Sequence, residues 1–87
     1  MQHKMDPIIN LVVGMVVDIT LIYPTFIFPE SKLGADLEMD INQIEELRSK
    51  VNEAFTISLE TNYFAPNLTL QELVSHVKDI SSFQKSG

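Results

Sequence analysis

The stretch from Met39 to Phe55, MDINQIEELRSKVNEAF, contains the clearest helix signal in the chain. Asp40 can accept a hydrogen bond from a free backbone N–H of the first helical turn, and Gln43, three residues later, completes a capping box. The apolar residues that follow recur at helical spacing and share one face: Ile44, Leu47, Val51 and Phe55. The pattern predicts an amphipathic helix that begins after Asp40 and packs one side on a core.

The same signals recur near the end of the chain. Thr69 and Glu72 form a second capping box, and a stripe of apolar residues follows it: Leu70, Leu73, Val74, Val77 and Ile80. A last helix is therefore predicted from Thr69 to near Ser81. Between the two helices, the segment 61–65 is predicted to form one short helical turn, which Pro66 ends.

Residues 7–28, PIINLVVGMVVDITLIYPTFIF, are the most apolar part of the chain. Asp6 and Pro7 are suited to the opening of a helix, and Asn10, Gly14 and Asp18 recur every four residues as a narrow polar stripe. A first helix is predicted from Pro7 to about Ile22. Its remaining circumference is apolar, more than a small bundle usually buries, so this helix is either well buried or covered by a partner; a homodimer through it is one hypothesis.

A membrane span is not expected in this apolar segment. Asp18 lies in its middle, where a charge in lipid is costly, and Pro24 ends the helix. The helix from Pro7 to Ile22 would be about 24 Å long, short of a hydrocarbon core of about 30 Å. No small-residue cleavage site of a signal peptide follows it either.

The 87 residues suffice for one domain, predicted over residues 1–87 with frayed ends at 1–5 and 84–87. The expected fold is all-α: a small four-helix bundle with three longer helices, one short helix and a long first loop that reaches Asp40. Apolar loop residues are expected to anchor that loop to the core: Phe26, Ile27, Leu33 and Leu37. The absence of cysteine excludes disulfides and suits a reducing compartment, so a cytoplasmic protein is predicted.

The charge balance narrows the class of partner. The net charge is −6, from 12 acidic and 6 basic residues, which disfavours nucleic-acid binding and favours a basic protein surface. Acidic residues are concentrated between Lys32 and Glu60, a segment with seven acidic and three basic residues. This concentration indicates either a solvated helix face or a docking surface.

The sequence shows no arrangement typical of an enzyme, a metal site or a cofactor site. No Gly-rich phosphate loop and no nucleophile with a general base is visible. The two histidines, His3 and His76, are far apart in sequence. The alternating carboxylates Asp36, Glu38 and Asp40 lack the spacing of an EF-hand, and capping is the better role for Asp40.

Residues 27–40, IFPESKLGADLEMD, resemble the approach to the prosthetic-group site of acyl carrier proteins, which typically reads I-x-P-D-S-x-L-x-x-D-L-x-M-D-S-L. The similarity continues without a gap to about Val77. Leu47 and Phe55 fall where the family has a leucine and a terminal phenylalanine in its second helix. Leu59 takes the place of an isoleucine, and residues 68–71, LTLQ, correspond to the approach to the last helix.

One departure from the family determines what the resemblance implies. The family attaches its phosphopantetheine arm to a serine, and the matching position here is Ile41, followed by Asn42 in place of a leucine. Isoleucine has no hydroxyl group with which to form a phosphodiester. Ser31, ten residues upstream, and Ser49, eight residues downstream, would need a register that destroys the similarity.

The resemblance therefore implies a non-catalytic, carrier-like interaction module without a cofactor, a regulatory or binding partner in fatty-acid or polyketide-type metabolism. Its second helix would face a basic protein surface, with a contact set at matching positions: Asp36, Glu38, Asp40, Ile41, Asn42, Glu45 and Glu46. Two alternatives stay open. One is a small acidic inhibitor or immunity-type protein that neutralises a basic enzyme, and the other is a working acyl carrier modified at another serine.

Overall fold

The computed structural model describes residues 7–85, and the side chains of residues 7–81. The described chain is all-helical, with three α-helices: α1 (Pro7–Thr20), α2 (Ile41–Phe55) and α3 (Leu70–Lys85). No strand occurs in this part of the chain. α1 packs against both α2 and α3. The predicted frayed ends, and the predicted cap Asp6, lie largely outside the described residues.

The apolar faces predicted for α2 and α3 form the core. Ile44, Leu47 and Val51 of α2 are buried, and Phe55 is half-buried. α3 contributes four further buried residues: Leu70, Leu73, Val74 and Val77. α3 continues to Lys85, so its predicted end near Ser81 was four residues short.

Both predicted capping boxes are confirmed. Asp40 Oδ1 accepts from the Gln43 backbone N–H at 2.8 Å, and Gln43 Oε1 accepts from the Asp40 N–H at 3.0 Å. At α3, Thr69 Oγ1 accepts from the Glu72 N–H at 3.1 Å, and Glu72 Oε1 accepts from the Thr69 N–H at 3.0 Å. Each box satisfies two N–H groups that a helix start otherwise leaves without a partner.

α1 ends two residues before the predicted position. The Thr20 hydroxyl donates to the Val16 carbonyl at 2.8 Å and accepts from the Ile22 N–H at 3.1 Å. Leu21 then adopts a left-handed conformation with φ of 63°, which stops the helix. The predicted polar stripe of Asn10, Gly14 and Asp18 is exposed. No helix in residues 7–85 is long and apolar enough to span a membrane.

The short helical turn predicted over 61–65 is present only as a 3-10 turn, so the described chain has three α-helices and the predicted four-helix count is wrong. Residues Thr61–Tyr63 form a single 3-10 turn, closed by a bond from the Phe64 N–H to the Thr61 carbonyl at 3.1 Å. Pro66 lies two residues further on, and Phe64, with ψ of 76°, has already left helical geometry. A similar 3-10 turn, Pro24–Phe26, lies in the first loop.

The first loop is fixed to the loop before α3 by backbone hydrogen bonds. The Leu33 N–H donates to the Leu68 carbonyl at 3.0 Å, and the Gly34 N–H donates to the Pro66 carbonyl at 2.9 Å. The N–H of Leu70 donates to the Ser31 carbonyl at 3.1 Å. Of the predicted loop anchors, Ile27, Leu33 and Leu37 are buried as expected. Phe26 is exposed, so its predicted anchoring role was wrong; its ring stacks on Tyr23 instead.

Candidate docking surface at the start of α2

In the loop that leads into α2, exposed side chains alternate with buried ones. Leu33, Leu37 and Met39 point into the core, whereas Asp36, Glu38 and Asp40 are exposed. Two hydrogen bonds and one backbone conformation fix this arrangement. The Asp36 carboxylate accepts from the Lys32 N–H at 2.8 Å, and the Met39 N–H donates to the Leu33 carbonyl at 3.0 Å. Glu38 takes a left-handed conformation, with φ of 56°, at the turn into the helix.

Ile41 is the first residue of α2, and 78% of it is exposed. Its position follows from the capping box, because Asp40 and Gln43 fix the start of the helix on either side of it. An exposed isoleucine gains nothing from the hydrophobic effect in the isolated chain. Asn42 is exposed beside it, so the first two residues of α2 both face solvent.

A small, largely apolar pocket of about 240 Å³ lies beside Ile41. α2 and the loop before it contribute Met39, Ile41, Ile44 and Glu45 to its wall; the second loop contributes Thr61, Phe64 and Pro66. Met39 and Ile44 are both buried in this wall. The pocket is large enough for one apolar side chain of a partner.

Glu45 and Arg48 form a salt bridge on α2. Arg48 Nε donates to Glu45 Oε2 at 2.8 Å, and Nη2 contacts the same oxygen. The Arg48 hydrogen bonds, and secondarily its charge, lower the pKa of the Glu45 carboxyl. The pKa of Arg48 is raised by the same hydrogen bonds. Nη1 of Arg48 also donates to the Leu59 carbonyl at 3.0 Å, so the pair connects α2 to the second loop.

Glu46 differs from Glu45 in its surroundings. It is exposed, and within the described residues it makes no salt bridge. It lies one helical turn after Asn42, on the same outward face of α2. Of the two glutamates predicted to contact a partner, Glu46 therefore keeps an uncompensated charge, whereas the charge of Glu45 is balanced by Arg48.

The predicted contact residues fall into two neighbouring groups. Asp36, Glu38 and Asp40 are exposed in the loop, and Ile41 and Glu45 line one pocket on α2. Sequence reasoning missed the second-loop side of that pocket. The sequence offers a signal for it, an apolar pair at positions 63–64 followed closely by a proline.

A second, more polar cleft lies where the second loop meets α3. The rings of Tyr63 and His76 stack with centroids 4.5 Å apart, and the Tyr63 hydroxyl donates to the Glu72 carbonyl at 3.2 Å. Burial, and secondarily the Glu72 charge, raises the pKa of Tyr63. Among the described residues no group of three or more His, Cys, Asp or Glu side chains could hold a metal ion.

No protein-family model matches the chain, and no curated protein matches it. The acyl carrier resemblance therefore stays a prediction from the residues that carry it.

Proposed function

We propose that the protein is a carrier-like, non-catalytic interaction module that binds a basic protein surface through the start of α2, as a regulator or binding partner in fatty-acid or polyketide-type metabolism. The observation that carries the proposal is the exposure of Ile41 at the first position of a capped helix, next to exposed carboxylates. In the family this chain resembles, the matching serine bears the phosphopantetheine arm.

The side chains of this surface favour protein binding over catalysis. Ile41 has no group that can act as a nucleophile, acid or base. Its exposed side chain and the apolar pocket beside it supply a centre that gains free energy when a partner excludes water. The surrounding carboxylates form a charged rim, which attracts a basic partner from a distance and raises the association rate.

The loss of carrier chemistry can be tested by intact mass spectrometry. The purified protein is incubated with coenzyme A and a broad-specificity phosphopantetheinyl transferase. We expect the mass to stay unchanged, and a gain of one phosphopantetheine would refute the proposal. The double variant Ile41→Ser/Asn42→Leu restores the family's residues and should gain the arm. Ile41→Ala/Asn42→Leu, which has no hydroxyl group at this position, is the matched control.

The role of the acidic rim can be tested in the restored Ile41→Ser/Asn42→Leu background. The transferase has to contact the start of α2, so its kcat/KM reports docking at this surface. Adding Glu46→Lys should lower kcat/KM by roughly threefold to tenfold at low salt, and the effect should shrink as salt screens the charges. Asp79→Lys makes the same charge change on α3 and should leave kcat/KM nearly unchanged. Equal losses in both variants would refute docking through α2.

A further inference from the structure

The largest group of exposed apolar side chains belongs to α1 and the segment that follows it. Five side chains form it, here called the aromatic patch, with exposed fractions of 79% for Leu21, 71% for Tyr23, 65% for Phe26, 55% for Phe28 and 54% for Leu11. None of them belongs to the surface at the start of α2. The sequence predicts excess apolar surface on the first helix, whereas the structure places most of it just after that helix.

The members of the aromatic patch are connected to one another. The rings of Tyr23 and Phe26 stack with centroids 6.5 Å apart and planes inclined by 13°. Phe26 and Phe28 line one shallow depression. Leu11 lines a groove along α1 together with Pro24, which is the neighbour of Tyr23 in the chain. The three aromatic side chains therefore lie side by side, and the groove with Leu11 reaches them at Pro24. Leu21 lies between α1 and Tyr23 in the chain.

The backbone beneath the patch is held by hydrogen bonds. The Phe26 N–H donates to the Tyr23 carbonyl at 2.9 Å, the Ile27 N–H donates to the Pro24 carbonyl at 3.0 Å, and the Phe28 N–H donates to Ser31 Oγ at 2.9 Å. Because Ile27 is buried, it anchors the segment to the core between two exposed phenylalanines. The aromatic side chains are thus presented by a fixed support, which lowers the entropy that a partner would have to remove.

Leu21 is unfavourable for the isolated chain in two ways. Its φ of 63° is a conformation that glycine or asparagine adopts at lower cost, and its side chain is almost fully exposed. A leucine at this position is explained if its side chain becomes buried in an assembly.

The area of the patch fits one occupant, a second copy of this chain. At about 200 Å² for a fully exposed aromatic residue, the three rings expose about 380 Å² per copy. A symmetric pair that covered all of this exposed area, including the two leucines of each copy, would bury on the order of 1,200 Å² in total, the lower bound for a specific interface. We propose that the protein forms a symmetric homodimer through the aromatic patch. The proposal does not rest on the function proposed for α2.

The charge of the chain gives this dimer a distinctive salt dependence. Each copy carries a net charge of −6, and Asp18 lies in the groove that Leu11 and Pro24 line. Two copies therefore repel each other at low salt, and added salt should tighten the dimer by screening this repulsion. Docking of a basic partner on α2 has the opposite salt dependence, so the two interactions can be told apart.

Sedimentation velocity between about 1 μM and about 1 mM tests the dimer, because interfaces at the small end of the size range are typical of weak, transient complexes. The weight-average mass should rise from 9.9 kDa toward twice that value, and the rise should move to lower concentration as salt increases. A mass that stays monomeric over the whole range would overturn the proposal.

Leu21→Asn and Ile41→Asn are a matched pair of variants, because the two residues are almost equally exposed, at 79% and 78%. Leu21→Asn should weaken the dimer by at least about tenfold, since a two-fold interface contains the residue twice. It should not lower the melting temperature of the monomer, because asparagine tolerates the left-handed conformation. Ile41→Asn should leave the dissociation constant of the dimer unchanged.

Two results would show that the protein dimerises but not through the aromatic patch. One is a dimer that weakens equally in both variants, and the other is a dimer that Leu21→Asn leaves unchanged. Co-sedimentation with vesicles of zwitterionic phosphatidylcholine provides a further check. If monomeric protein binds these vesicles and Leu21→Asn abolishes that binding, the aromatic patch is a lipid contact and the dimer proposal fails.

Discussion

Gly34 provides the sharpest test of how the first loop is fixed to the rest of the protein. A Cβ atom placed on Gly34 would lie 2.6 Å from the Cβ and 3.0 Å from the Cα of Pro66. Ordinary carbon–carbon contacts are about 3.5–4.0 Å, so Gly34→Ala forces the two loops apart by about 1 Å. The φ of Gly34 is not positive, so the backbone itself accepts alanine and the cost arises from this contact.

The size of the effect follows from what the separation breaks. The bond from the Gly34 N–H to the Pro66 carbonyl is 2.9 Å, and a shift of about 1 Å takes it beyond hydrogen-bond range. One lost bond costs about 1 kcal/mol, and overpacking adds about 1–3 kcal/mol. Alanine lowers the entropy of the unfolded chain and returns about 0.4–1 kcal/mol. The expected net loss is about 2 kcal/mol of unfolding free energy.

Urea unfolding, followed by circular dichroism, measures this loss, and Gly14→Ala is the matched control. Nothing lies within 4 Å of a Cβ placed on Gly14, which is exposed in the middle of α1. There the same substitution should raise the unfolding free energy by about 0.5–1 kcal/mol, because alanine is the better helix former. In thermal unfolding, Gly34→Ala should lower the melting temperature by about 8–16 °C.

Either of two outcomes would contradict the predicted effect of Gly34→Ala. If Gly34→Ala is as stable as the wild type, or if both substitutions shift the stability in the same direction by similar amounts, the two loops are not in the close contact described above. A reduced m-value in Gly34→Ala would mean that the loops already separate in the native state.

Two further predictions concern the start of α2. Asp40→Ala removes the carboxylate that accepts from the Gln43 N–H and should cost about 1 kcal/mol in urea unfolding, whereas Asp40→Asn keeps a capping oxygen and should cost much less. The second concerns pH. Because the folded pKa of Glu45 lies below its ordinary value of 4.5, its contribution to stability is present above that pH and is lost as the pH falls through the folded pKa. The difference in unfolding free energy between wild type and Glu45→Gln should therefore shrink as the pH falls below about 4.5, and a difference that is constant with pH would show that Arg48 does not stabilise the ionised carboxylate.

The sequence predicts those parts of the fold that depend on local chemistry. The starts of α2 and α3 were correct because each capping box lies within four consecutive residues, and the buried faces follow from helical spacing alone. The end of α1 was misplaced because Leu21 adopts a conformation that leucine rarely takes. Phe26 was wrongly predicted as an anchor, since apolar character alone does not tell which side chains of an irregular loop face inward.

The sequence likewise predicts only the part of the candidate site that depends on local spacing. The shared position of Ile41 and Glu45 follows from their spacing of one helical turn. Phe64 and Pro66 reach the same pocket only because the second loop folds back onto α2, a contact between residues about twenty positions apart in the chain. Helical periodicity describes only the segment in which it occurs, so contacts of this kind need the three-dimensional structure.

The hydrogen bonds between the first loop and the start of α3 have a consequence for folding. They connect positions near 33 with positions near 68, so neither segment can complete its backbone bonding while the other is unfolded. The loop amides of Leu33 and Gly34 should then exchange with solvent only through opening of the whole domain, as slowly as amides inside the helices. A fragment that ends after α2 would lack the acceptors for these amides. We therefore expect the first loop and the start of α3 to unfold together with the helices they connect, although most hydrogen bonds of those helices are local.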